Sequence, residues 1–174
     1  TGNEFTLPRG VRVRVAREVL IVDRRDAGSR PPVEVPLPVP GEALSTELGL
    51  LVEARIEPVE GGETVRGEWA VDLDPVVSER GLILRNRRPG DRIRLRGGHR
   101  KVQDVLAEAG VPRWERDGVG IVATRDGEVL WVIGYCAAAL PPSRDGRSLR
   151  MRAWRLEAGD GGSGCYNGAA RGGR

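Results

Sequence analysis

Apolar residues recur at helical spacing in only one short stretch of this chain. Nearly everywhere else they alternate, or run in short blocks broken by Pro and Gly, and that pattern commits the chain to a β-rich fold. Val102, Val105, Leu106 and Ala109 fall at i, i+3, i+4 and i+7, and Gly110 is placed to stop the turn, which predicts one helix at about 101–109. Val11, Val13 and Val15 interleave with Arg12 and Arg14, and an apolar run over 19–22 follows after a hairpin-length gap. Residues 50–57 and 68–73 also have strand character, whereas Pro36, Pro38 and Pro40-Gly41 restrict 33–41 to extended chain ending in a turn. Two further strands, 119–124 and 128–134, flank the hairpin signal Asp126-Gly127, and Leu149, Met151 and Ala153 mark a last one. Trp131, inside its apolar run, is a core residue. The expected fold class is α+β: mostly β-strands, with one main helix at about 101–109.

The chain's 174 residues suffice for one compact domain or two small ones. Its net charge of +3 is too small to argue for a nucleic-acid partner, but the distribution is uneven. Residues 1–84 carry 10 basic and 15 acidic side chains (net −5), residues 85–116 carry 10 and 4 (net +6), and residues 117–174 carry 8 and 6 (net +2). The expected organisation is a β-rich, mildly acidic part over 1–78, a basic α+β part over 79–157 and a flexible Gly-rich tail over 158–174. No apolar run reaches the roughly 20 residues of a bilayer crossing, and residues 1–5 have no secretory pattern. Cys136 and Cys165 are too few for a disulfide framework, and the single histidine argues against a zinc site. A reduced, cytoplasmic setting with no membrane partner is expected.

The basic segment carries the chemistry. Strand alternation in Arg92-Ile93-Arg94-Leu95-Arg96 puts three guanidiniums on one face and Ile93 and Leu95 on the other. Arg85, Arg87 and Arg88 precede them, and pairing back across Pro89-Gly90 would set Arg87 opposite Arg92 and Arg85 opposite Arg94. Gly97-Gly98-His99-Arg100-Lys101 then runs into the helix, where cations oppose the helix dipole unless an anion is bound. Two glycines permit close approach to a phosphate, and Arg forks match its oxygens. The residues alone leave two readings open: a solvated basic surface, or a site for polyphosphate or a nucleic-acid backbone. His99 suits phosphate binding or a structural role, since no nucleophile, orienting acid or metal partner accompanies it at meaningful spacing. Trp114, between Arg113 and Arg116, either stacks on a base or packs over the helix. The acidic pairs Asp72/Asp74 and Glu60/Glu63 lack the companions of a metal or glycosidase site, and no nucleotide-binding glycine loop is present.

Residues 84–92 (Leu-Arg-Asn-Arg-Arg-Pro-Gly-Asp-Arg), Gly97-Gly98-His99-Arg100-Lys101 and 111–117 (Val-Pro-Arg-Trp-Glu-Arg-Asp) together resemble the C-terminal region of bacterial tRNA(Ile)-lysidine synthetases in order and spacing. The strand over 128–134 is similar to the family's next block, and 36–41 and 70–74 to its preceding segment. The resemblance covers about 5–156 and is most specific over 84–134. It implies a small α+β domain, a sandwich-like sheet with a helix, like one in the phenylalanyl-tRNA synthetase β subunit. It also implies the tRNA-recognition half of an ATP-dependent ligase that adenylates the wobble cytidine of an isoleucine tRNA with a CAU anticodon and couples lysine to it. ATP and magnesium belong to an N-terminal ATP-pyrophosphatase domain with a Ser-Gly-Gly-x-Asp-Ser loop, which this sequence does not contain, so no cofactor is expected in the chain and the chain alone is expected to be inactive. Arg88, Asp91, Arg92, Gly97, Gly98, Lys101, Pro112, Arg113, Arg116 and Asp117 occupy family-pattern positions. Gln103 and Val119-Gly120 depart from it, standing where a second lysine and a Trp-Pro pair are usual. The expected nucleic-acid-binding set is Arg85, Arg87, Arg88, Arg92, Arg94, Arg96, His99, Arg100, Lys101, Arg113, Trp114 and Arg116, with tRNA as partner and a homodimer possible. The alternative is a non-catalytic domain binding an acidic protein or a polyphosphate.

Overall fold

A computed structural model describes residues 31–59, 69–140 and 146–156 throughout, together with the backbone of three strands within residues 3–23. Those strands, β1 (Asn3–Leu7), β2 (Val11–Ala16) and β3 (Val19–Asp23), form a three-stranded antiparallel sheet with β2 at its centre. The alternation of Val11, Val13 and Val15 and the apolar run after it are thus two neighbouring strands, as their spacing implies.

The remaining strands make two more sheets. The larger joins β4 (Glu34–Leu37), β8 (Leu82–Asn86), β9 (Arg92–Leu95), β10 (Gly98–Lys101), β11 (Gly120–Thr124), β12 (Val129–Val132) and the short β13 (Cys136–Ala137), in the order β10-β9-β12-β11-β8-β4 with β13 against β12. The smaller joins β5 (Gly41–Ser45), β6 (Leu50–Pro58), β7 (Ala70–Leu73) and β14 (Arg147–Arg155), in the order β5-β6-β14-β7. The helix α1 (Val102–Glu108) sits where the 3.6-residue period places it. A 3-10 turn over Pro75–Arg80 links β7 to β8; the Asp74 carboxylate caps it by accepting the Val76 N–H at 3.0 Å.

Side-chain alternation in the larger sheet divides the core in two. Leu82, Leu84 and Val122 join Val52, Val71, Leu149 and Met151 of the smaller sheet, so the two sheets pack face to face. Ile83, Ile93, Ile121 and Ala123 gather with Val102 and Leu106 of α1 in the second cluster. Every residue of β8 and β11 is buried, because both faces of these central strands are covered. A bulge in the β11–β12 pairing at Val122/Ala123 leaves Leu130 and Trp131 in the same core cluster. Pro36 lies on β4, at the sheet edge, where its missing N–H breaks no ladder.

Three expectations need correction. β8 and β9 do not pair across Pro89-Gly90: β11 and β12 lie between them, so Arg87 is not opposite Arg92, nor Arg85 opposite Arg94. The stretch from Gly98 to Lys101 is a strand rather than a phosphate-cradling loop, and Gly98, at φ 111°, serves the tight turn from β9. β5 was not foreseen, because Gly41-Glu42-Ala43-Leu44-Ser45 has weak strand propensity. Strand pairing runs across the change of charge near residue 78: β4 pairs with β8, and β14 pairs with β6 and β7. The Glu60/Glu63 pair, Cys165 and the Gly-rich tail lie outside the described residues.

The turn between β8 and β9 is fixed by one carboxylate. Asp91 accepts both terminal nitrogens of Arg85 at 2.9 and 2.8 Å and the Arg88 N–H at 2.7 Å, and its carbonyl accepts the Val102 N–H at 2.9 Å. The Arg85 side chain is 2% exposed. Removing one partner of such a pair leaves an uncompensated buried charge, so Asp91→Ala is expected to cost about 3–5 kcal/mol of unfolding free energy in urea titrations.

Candidate nucleic-acid interface

Two residues of β9, Arg92 and Arg94, point away from the helix-covered core that holds Ile93. Antiparallel pairing with β10 sets Lys101 beside Arg92 and His99 beside Arg94, and directly paired residues share a face. The ledge read from the Arg-x-Arg-x-Arg alternation is therefore four side chains on two adjacent strands, with Arg96 in the connecting turn. All five are exposed, and no acidic residue lies within 92–101. None of the five has a carboxylate partner among the described residues; the one contact is Arg92 donating to the His99 carbonyl at 3.2 Å. β10 is the outermost strand of its sheet among the described residues.

Other arginines of the expected set are engaged internally. Arg85 is buried against Asp91 and does not reach the surface. Arg87 donates to Asp117 at 2.6 Å and is nearly buried, and Arg88 pairs with Glu34 at 2.6 Å in solvent. Arg100 shares the helix-side face of β10 and pairs with Glu108 at the end of α1. This replaces the reading of Arg100 as a cation awaiting an anion at the helix start. A seven-residue helix whose N-cap, Lys101, makes no side-chain cap hydrogen bond forms no such site. Arg116 is half-buried and donates through Nε to the Val111 carbonyl at 2.9 Å; Trp114 is half-buried, and Arg113 is exposed with no ion pair among the described residues. Trp131 is fully buried, as expected. Asp72, considered with Asp74 as a metal candidate, accepts Arg150 at 2.8 and 2.9 Å instead. Among the described residues no group of three or more His, Cys, Asp or Glu could hold a metal, and no helix is long and apolar enough to cross a membrane.

Sequence reasoning missed two features: the hold of Asp91 on both ends of the hairpin, and a cleft between the ends of the two sheets where Arg155 lies over the Trp69 ring. Only the position of Asp91 in the Pro-Gly-Asp turn signalled the first, and nothing local signals the second.

Fold and face together define a β-rich α+β domain that displays a cationic hairpin at one sheet edge. Residues 82–153 match the family model described as the TilS substrate C-terminal domain, and this region belongs to that family. The chain is 36% identical over 137 residues to the tRNA(Ile)-lysidine synthase of Symbiobacterium thermophilum, and 32% identical over 151 residues to that of Geobacillus kaustophilus. These matches take in 74% and 82% of this chain but only 28% and 31% of those relatives. A solved structure titled as the crystal structure of the TILS C-terminal domain superposes with a TM-score of 0.63 at 29% identity, covering 73% of this chain and 99% of that one.

The Arg100–Glu108 contact gives a pH test. Its hydrogen bond and charge hold the Glu108 carboxyl below its ordinary 4.5. A depressed carboxylate contributes stability that is present above its unfolded-state value and lost as pH falls through the folded one. The Glu108 carboxyl should therefore titrate below 4.5 in NMR, and Arg100→Ala should return it toward that value.

Proposed function

We propose that this chain is the tRNA-recognition part of a lysidine synthetase, with the β9–β10 face as its contact to the sugar-phosphate backbone. The supporting observation is the set of exposed cations on paired strands, Arg92, Arg94 and Lys101, with no carboxylate opposite them among the described residues. Like charges directly opposed across two strands destabilise a sheet, and phosphates are the ligand that reverses that cost. Arg forks take phosphate oxygens two at a time, and the Lys101 ammonium acts as a point charge. Arg96, His99 and Arg113 extend the contact, while Arg85 and Arg87 shape the domain from inside. The partner is an isoleucine tRNA with a CAU anticodon. Adenylation of its wobble cytidine with ATP and magnesium, and the coupling of lysine, belong to a separate domain, since this sequence has no phosphate loop.

Titration of the chain against labelled isoleucine tRNA at several salt concentrations tests this. Log K should fall with log salt by about 0.7–0.9 for each phosphate contacted. The double variant Arg92→Ala/Arg94→Ala should flatten that slope by about 1–2 and weaken binding, while its melting temperature stays level or rises because a like-charge cluster is relieved. Equal affinity for heparin and tRNA would favour a general polyanion site, and no binding at low salt would reject the proposal.

A further inference from the structure

Between the turn leading into β6, the start of β11 and the end of β14 lies a half-open cleft of about 360 Å³. Leu50, Ile133, Trp69 and Tyr135 supply its apolar and aromatic wall, and slightly more of the exposed lining is polar, from backbone and charged groups. Two charged side chains, Arg155 and Glu115, complete it. The Arg155 guanidinium sits 5.2 Å from the centroid of the Trp69 ring, an arrangement that fixes a planar cation, and it has no carboxylate partner among the described residues. Glu115, which lines the same cleft, likewise has no ion pair among the described residues. Glycines at 118 and 120 leave the backbone of one wall bare, and a Cβ on Gly120 would collide with the Leu50 side chain, so the sheets close tightly at the cleft floor.

The geometry points to a binding site for a nucleobase. A flat heterocycle matches walls of this kind, because its faces are apolar enough to sit against aromatic rings and a guanidinium plane. Its edge carries both acceptors, which Arg155 can serve, and donors, which Glu115 can receive. A bare phosphate would meet the Glu115 charge, and an aliphatic ligand would desolvate both charged groups without pairing either. The base has two possible sources, an unpaired nucleotide of a bound RNA or a free mononucleotide. The RNA source rests on the tRNA reading of the β9–β10 face; the mononucleotide source does not.

The test is an amide and indole NMR titration of the whole chain with CMP, UMP, AMP and GMP, then with a short unstructured oligonucleotide. Saturable shifts at the Trp69 indole, Gly118 and Gly120 are expected. Arg155→Ala should weaken them by about tenfold or more, Arg155→Lys should recover only part because the planar stack is gone, and Glu115→Gln should alter the ranking of the bases. Arg92→Ala/Arg94→Ala should leave the mononucleotide shifts intact, which separates failure of the cleft from failure of the cationic face. Shifts with mononucleotides identify a free ligand; shifts with the oligonucleotide alone identify an RNA-supplied base. No shift at these positions with any probe, or shifts unchanged in an Arg155→Ala chain of normal melting temperature, would overturn the inference.

Discussion

The bidentate contact between Arg85 and Asp91 is what the rest of the basic segment is built around. A buried guanidinium tolerates low dielectric only when its charge is matched, and Asp91 supplies that match: it accepts both terminal nitrogens of Arg85 and the Arg88 N–H, while Arg85 Nε stays buried without a hydrogen-bond partner. Its carbonyl takes the first N–H of α1. The strand before the hairpin, the turn into it and the helix after it therefore converge on one residue. The direction of β9 follows from that anchor, and so does the side of the sheet on which Arg92 and Arg94 emerge.

Partitioning of charge follows the same logic. Where a cation faces the interior or a crowded joint, the chain supplies a carboxylate: Asp91 for Arg85, Asp117 for Arg87, Asp72 and Glu57 for Arg150. On the β9–β10 face it supplies none among the described residues. Exposed ion pairs contribute little to stability, so leaving these cations bare costs the fold little and preserves a field that a polyanion can meet. That contrast between neutralised and bare arginines separates structural charge from charge available for binding, in a protein whose basic residues are almost all arginine.

The cleft beside Trp69 and the cationic hairpin arise from different parts of the layered core. The hairpin extends the larger sheet beyond its contact with the smaller one, whereas the cleft forms where the two sheets end together. Each collects residues far apart in the chain. Trp69 precedes β7 and Arg155 closes β14, and they meet because β14 pairs with β7.

Period-two alternation by itself determined that Ile93 would face inward with Arg92 and Arg94 on the opposite side, while Arg96, expected to continue that face, lies in the turn beyond the strand, and period 3.6 determined where the helix would lie. The spacing of the motifs from Leu84 to Asp117 identified the family, because turn glycines, the aspartate and the basic positions recur in a fixed local order. Local pattern does not encode which strands become neighbours. Only the tertiary structure decided that β11 and β12 separate β8 from β9, that β14 returns between β6 and β7, and that Arg87 and Arg88 meet Asp117 and Glu34. Strand order is set by the summed burial of both sheet faces across the whole domain, and an arginine is neutralised or left bare according to what that order brings beside it.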